Sequence, residues 1–189
     1  MAERTDIVVN QEVVNEEAIL KQSLSDSEAF KPIYEKYFKK IFLFLLHRTG
    51  DKEIAADLAQ QVFIKALTGL SKFQFRGLPF SAWLYRIAIN ECHTFFRKTR
   101  RTRWVMLDEK ATAHLHEEMT VDTQLHDLEA QLPAILQKLP EKDLQLIELR
   151  FFEGRPFKEI AQIMDISEIS AKVKTYRLLD KMKTYFFQS

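Results

Sequence analysis

Between Ala29 and Leu45 the apolar side chains Ala29, Phe30, Ile33, Tyr34, Tyr37, Phe38, Ile41 and Leu45 recur at steps of three and four. That repeat puts them on one face of a helix, whereas a half-buried strand would alternate. The same period returns at Ile54, Leu58 and Val62, with Ala55, Ala59, Phe63, Ala66, Leu67 and Leu70 beside them. A chain so patterned folds as helices. Four glycines and five prolines in 189 residues are too few for the many tight turns of a β-sandwich. At 46% apolar and 29% charged residues, the chain is also too apolar for a disordered one. No apolar run approaches the ~20 residues that a membrane span needs.

The helices can be placed by their start and stop signals. Residues 16–47 read as helix, with Ser25 or Ser27 available to cap a second part in which Pro32 falls in the first turn. Gly50 suits a left-handed C-cap. A second helix spans 51–70, with Asp57, Gln60, Gln61, Lys65 and Thr68 on its polar side. Residues 71–80 read as a loop carrying three aromatics, Gly77 and Pro79. Ser81 can cap the next helix, which runs through Trp83, Leu84, Ile87 and Ala88 to about Arg103. Residues 105–127 show no clear period and read as a linker with room for a short helical segment. Beyond it, Leu132, Leu136 and Leu139 mark one helix and Pro140 opens another, which ends at Gly154. Residues 157–164 form a short helix, Asp165-Ile166-Ser167 a tight turn, and Glu168 to about Phe186 a last helix.

The formal net charge of +1 conceals a strong segregation. Residues 97–104 hold Arg97, Lys98, Arg100, Arg101 and Arg103 and no acid, net +5. Residues 105–130 hold one lysine and seven carboxylates, net −6. Residues 154–189 hold seven basic and four acidic side chains, net +3. Two basic poles around an acidic middle point to a polyanionic partner.

The last two helices have helix-turn-helix spacing. Ala161 is small where two helices must cross, Asp165 tolerates the positive φ of the turn, and Ser167 can cap the second helix. On that helix Ser170, Lys174, Arg177 and Lys181 fall at steps of four, three and four, flanked by Lys172 and Tyr176. A basic helix of this kind fits the DNA major groove. A helical hairpin with a solvated basic face has the same spacing. Ile169 and Val173 lie on a flank, where contact with thymine methyls and simple packing both stand open.

Residues 73–104 combine an aromatic loop, a helix bearing Trp83 and Tyr85, and the basic cluster. Aromatic faces stack on unpaired bases while cations neutralise the backbone, which suits melted DNA. Trp83 and one of the phenylalanines can equally serve as core.

Two stretches resemble a known family. Tyr34-Glu35-Lys36-Tyr37, Thr49-Gly50-Asp51, Asp57 to Phe63 (DLAQQVF), Phe75-Arg76-Gly77 and Ala82 to Asn90 (AWLYRIAIN) resemble region 2 of the extracytoplasmic-function (ECF) group of bacterial sigma factors. Leu139-Pro140-Glu141, Leu149 to Gly154 (LRFFEG) and the helix-turn-helix resemble region 4 of the same group.

The resemblance implies a subunit that binds core RNA polymerase, through the β′ clamp helices and the β subunit, and directs it to promoters. Asp57, Gln60, Gln61 and Phe63 would then dock on the clamp helices, Asp57 pairing with arginines and the amides adding adaptable hydrogen bonds. Family members often carry Glu where this chain has Gln61, which removes a charge. Phe75, Arg76, Trp83, Arg86 and Asn90 would form the minus-ten reader, in which a base leaves the stack for a pocket between loop and helix. Arg97, Lys98, Arg100 and Arg101 would hold phosphates. The last helix would enter the minus-thirty-five major groove, with Lys172 on phosphate, Ser170, Lys174 and Arg177 near bases, and Tyr176 and Lys181 alongside. An anti-sigma factor would be a further partner.

The expected fold is therefore all-α: two small helical domains, 16–104 and 128–189, joined by a flexible acidic linker, 105–127, the second domain containing the helix-turn-helix. The expected role is promoter recognition, on duplex and melted DNA, with no catalysis. The other reading is an operator-binding helix-turn-helix regulator that never joins polymerase. Cys92-His93, His114, His116 and His126 lack metal-ligand spacing, and no nucleophilic triad or phosphate cradle occurs, so no metal, cofactor or small-molecule substrate is expected. The lone Cys92 and an acidic start without a signal-peptide core fit the reducing cytoplasm.

Overall fold

The computed structural model describes residues 16–73, 79–99, 109–119 and 125–187. They form two compact units, divided between Thr102 and Arg103. Within the described residues all regular structure is helical, as the apolar period requires.

The first unit packs three long helices on one another: α2 (Lys31–Thr49), α3 (Lys52–Thr68) and α4 (Phe80–Thr99). A shorter helix, α1 (residues 16–22), precedes them. The predicted helix over 16–47 is broken. Residues 23–25 turn, Asp26 accepts from the Glu28 amide, and a 3-10 turn (Ser27–Phe30) leads into α2, which holds Pro32 in its first turn. Proline is harmless there, because first-turn amides have no intrahelical acceptor. The cap of the 3-10 turn is thus Asp26, not Ser25 or Ser27. Glu16 of α1 is tied to α2 by the Tyr37 hydroxyl, 2.5 Å away, and by the Lys36 ammonium at 2.9 Å.

Helix α2 ends at Gly50 with φ 65°, its amide bonded to the Leu46 carbonyl, as the sequence suggests. Asp51 then caps α3, accepting from the Glu53 and Ile54 amides at 3.0 and 3.1 Å. Three alanines of α3 (Ala55, Ala59, Ala66) are fully buried and let the neighbouring helices approach closely. Ile33, Ile41, Phe44 and Leu45 of α2 meet Leu58 and Val62 of α3 and Leu84, Tyr85 and Ala88 of α4 in the core. Helix α4 starts one residue before Ser81. Ser81 is buried within its first turn, so it is not the cap that the sequence suggests.

The second unit contains α5 (Glu109–Met119), α6 (Leu125–Gln137), α7 (Glu141–Ile147), α8 (Phe157–Met164) and α9 (Glu168–Phe187). Helix α5 lies inside the stretch that the sequence reads as a linker. It is eleven residues long and packs on its own unit. Thr112, Leu115 and Met119 are buried, and the His114 ring meets Phe151 edge-on at 5.2 Å. Three inward residues at steps of three and four suffice to dock a helix whose other faces are acidic. After α7 the backbone widens into a π-helical turn (Glu148–Phe152), closed by Gly154 at φ 61°. Leu149 and Phe151 of this turn are both buried, since α5 and α8 both pack against it.

Among the described residues no helix is long and apolar enough to cross a membrane, and Cys92 is buried.

Candidate functional site

Three surfaces collect the residues singled out by the sequence. The first is the outer face of α3. Asp57, Gln60 and Gln61 are exposed there, on the side away from the buried alanines. Phe63 is not with them. It is only 4% exposed and packs its ring against Phe30, Tyr34 and Phe38 at 4.9–6.5 Å. Its position one step past the outer face turns it toward α2. The exposed apolar group of this face is Ile64, at 62%. The sequence holds a signal for it: Ile64 falls between Gln60 and Thr68 on the polar arc, where an aliphatic residue has no core to join.

Beside this face lies a groove of ≈ 680 Å³, between the start of α2 and the C-terminal half of α3. Phe30, Tyr34, Phe63, Ile64 and Leu67 supply its apolar wall, and Glu28, Lys31 and Gln60 its polar atoms. Phe63 thus contributes to this region as a wall, not as an outward contact.

The second surface runs along α4. Trp83, Arg86, Asn90 and Arg97 follow one another at steps of three, four and seven, a single stripe on the helix. Arg86, Asn90, Arg97 and Lys98 are exposed. Trp83 is half-buried in a cluster with Phe73 and Phe80, ring centroids 5.0 and 5.4 Å away. Gly69 lies against it, and lack of a side chain there spares a clash with the Lys65 carbonyl rather than with the indole. A Cβ there would lie 2.9 Å from the Lys65 carbonyl oxygen and 3.6 Å from the indole. Trp83 therefore has both a packing role and an exposed edge. Phe75, Arg76 and Gly77 of the loop, and Arg100, Arg101 and Arg103 of the basic cluster, lie outside the described residues. The face of α3 and the stripe of α4 are linked by Lys65 and Glu91, which pair at 2.5 Å.

The third surface is the exposed side of α9, presented by the helix-turn-helix. The turn has the geometry its residues predict. Asp165 adopts φ 57° and ψ 49°, and the Ile166 amide reaches back to the Ala161 carbonyl at 2.8 Å. Ser167 caps α9 by accepting from the Ser170 amide at 3.1 Å. Ala171, Thr175, Leu178 and Met182 face inward. Lys172, Lys174, Tyr176, Arg177 and Lys181 are exposed, and Ser170 is half-buried.

The buried stripe corrects one placement. The sequence puts Ile169 and Val173 on a flank of the basic stripe formed by Ser170, Lys174, Arg177 and Lys181. At ~100° per residue, Val173 lies opposite the centre of the buried face formed by Ala171, Thr175, Leu178, Leu179, Met182 and Phe186, with Arg177 close to the same line and Ile169 and Ser170 to either side of it. Ile169 and Val173 are 78% and 43% exposed, so neither belongs to the core of this unit. Lys172 borders them on one side, and Lys174 and Lys181 on the other.

Known proteins resemble this chain in sequence and fold. Family profiles for sigma-70 region 2 and sigma-70, region 4 match residues 33–102 and 129–182. The RNA polymerase sigma-H factor of Pseudomonas aeruginosa is 32% identical over 166 residues, covering 80% of this chain and 83% of that protein. The ECF RNA polymerase sigma factor SigM of Bacillus subtilis is 26% identical, covering 82% of this chain and 93% of its own. The ECF RNA polymerase sigma factor BldN of Streptomyces coelicolor is 28% identical over 85% of this chain, which spans 61% of BldN's length. Among solved structures, CnrH in complex with the cytosolic domain of CnrY superposes with a TM-score of 0.60 at 19% identity, over 91% of this chain and 97% of that one, a likeness of fold.

Proposed function

The chain belongs to the ECF group of the sigma-70 family, and from that premise we propose that it binds core RNA polymerase and directs it to promoters bearing minus-ten and minus-thirty-five elements. It is a transcription initiation factor; catalysis of RNA synthesis belongs to the polymerase. The observation that carries this reading is the separation of three exposed faces, on α3, α4 and α9, each with a different chemistry.

The α3 face offers one carboxylate, two amides and an isoleucine. Asp57 pairs with arginine on the β′ clamp helices, Gln60 and Gln61 add hydrogen bonds, and Ile64 buries apolar area at the centre of the contact. Phe63 fixes α3 from behind and shapes the adjoining groove.

The α4 stripe reads the melted minus-ten element. Asn90 offers a donor and an acceptor to an unpaired base edge, and Trp83 and Phe75 stack. Arg76, Arg86, Arg97, Lys98, Arg100 and Arg101 hold phosphates. Arg97 and Lys98 are exposed at the end of α4, and neutralising phosphates with these cations makes binding salt-dependent.

Helix α9 reads the minus-thirty-five element as duplex, entering the major groove with its first turns. Lys172, Lys174 and Lys181 meet phosphates, and Ser170, Tyr176 and Arg177 approach base edges. The function places the chain in the bacterial cytoplasm, and an anti-sigma factor that covers these faces is a fitting regulator.

Reconstitution with core RNA polymerase on a library of promoter fragments tests the reading. Transcripts that appear only when the chain is added, from fragments sharing two spaced elements, are expected. A chain that neither co-purifies with core nor starts transcription overturns it.

A further inference from the structure

In its first two turns the outer side of α9 presents two branched aliphatics between basic borders. Ile169 and Val173 stand one turn apart and point away from the buried stripe, exposed at 78% and 43%. Tyr176 follows one turn later at 44%. Two branched aliphatics one turn apart on an exposed side form a small apolar surface that a partner can desolvate.

The surrounding charges say what that partner is. Lys172 lies on one side of the strip, and Lys174 and Lys181 on the other. In a major groove the two walls are phosphate and the floor is base edges. Lysines on both borders match the walls, and the central strip then meets the floor. Capping by Ser167 puts Ile169 in the first turn of α9 and Val173 in the second, the part of a recognition helix that reaches deepest. Asp180, exposed farther along the same side and 3.6 Å from Lys183, sets a limit to the contact, because a carboxylate is repelled by phosphate.

On the floor of the groove, the apolar group that a base presents to such side chains is the C5-methyl of thymine. Given the proposed entry of α9 into the minus-thirty-five element, we infer that Ile169 and Val173 are specificity-determining residues that select thymines by their methyl groups. Four residues of helix advance about 6 Å, close to two base-pair steps of ~3.4 Å. The two selected thymines therefore lie about two base pairs apart. Arg177, one turn beyond Val173, and Ser170, beside it, supply the hydrogen bonds to neighbouring bases.

The test uses the full chain assembled with core RNA polymerase. A selected minus-thirty-five element is resynthesised with each thymine replaced in turn by deoxyuridine, which removes the methyl group and leaves every hydrogen bond. Loss of one buried methyl weakens binding about four-fold. The expected result is two such positions, about two base pairs apart, with the four-fold effect abolished at one by Ile169→Ala and at the other by Val173→Ala. Both variants alter exposed side chains, and alanine keeps the helix. An element whose binding depends on its base pairs but is indifferent to every deoxyuridine overturns the inference and leaves duplex reading by α9 intact. Methyl sensitivity that persists unchanged in both variants also overturns it. Binding that is indifferent to the base pairs of the upstream element overturns the α9 assignment itself.

Discussion

Lys65 of α3 and Glu91 of α4 pair at 2.5 Å, one residue from Asn90 and one turn beyond Gln61. The carboxylate is nearly buried, with its side chain 9% exposed, while the lysine remains half in water. The pair fixes the register between the helix assigned to polymerase docking and the helix assigned to base reading.

Exposed ion pairs contribute ~0.2–1 kcal/mol, and a carboxylate left unpaired away from water costs more. Glu91→Gln keeps the shape and removes the charge. Combined with Lys65→Met in a double-mutant cycle followed by urea unfolding, it should reveal a coupling of about 0.5–1 kcal/mol. A coupling of zero would show that the helices are registered by their apolar contacts alone.

Asp165 occupies the left-handed region that glycine adopts without strain. Asp165→Gly should hold or raise stability by up to about 1 kcal/mol, with duplex binding unchanged. Asp165→Val should cost at least ~1–2 kcal/mol and weaken binding by misplacing Ser167 and the start of α9. Thermal melts and promoter binding at one salt concentration check both.

Asn90 lies mid-stripe on α4 with its amide in solvent. Asn90→Ala should lower discrimination among minus-ten sequences by ~1–3 kcal/mol, five-fold or more, while affinity for core polymerase stays the same. Competition between matched and mismatched promoters in abortive transcription reads the effect directly.

Arg97 and Lys98 are exposed at the end of the same helix. Removing both charges should weaken holoenzyme binding about equally on every promoter and reduce the salt slope of log K by about 1–2. A change of sequence preference instead would place these side chains at base edges.

Much of this arrangement is legible in the sequence because local chemistry agrees with the fold. Gly50, Asp165 and Ser167 sit at turns whose backbone or capping demands suit them. What escaped has a common physical origin. Helix α5 is carried by Thr112, Leu115 and Met119, too few apolar residues to stand out among acidic ones. Asp26 rather than a serine caps the turn before α2, because several cap-forming residues sit side by side there and only the packing of Phe30 chooses among them. Phe63, grouped with the docking residues by the resemblance, turns inward with the apolar face, and Ile64 turns outward, because a helix face rotates by ~100° between neighbours. Val173 moves from flank to centre for the same reason: the outer side of a helix is defined by what is buried opposite.

Docking and duplex reading are assigned to faces in different units, on α3 and on α9, so they should separate cleanly. Binding of Asp57→Ala and of the Lys174→Ala, Arg177→Ala double variant is measured side by side, to core RNA polymerase and, as holoenzyme, to a matched promoter. Asp57→Ala should lose about ten-fold in core affinity, ~1.4 kcal/mol, with promoter preference intact. The double variant should bind core normally and lose ten-fold or more in promoter affinity. Equal loss of both activities in either variant, or loss of neither, would contradict the division of labour.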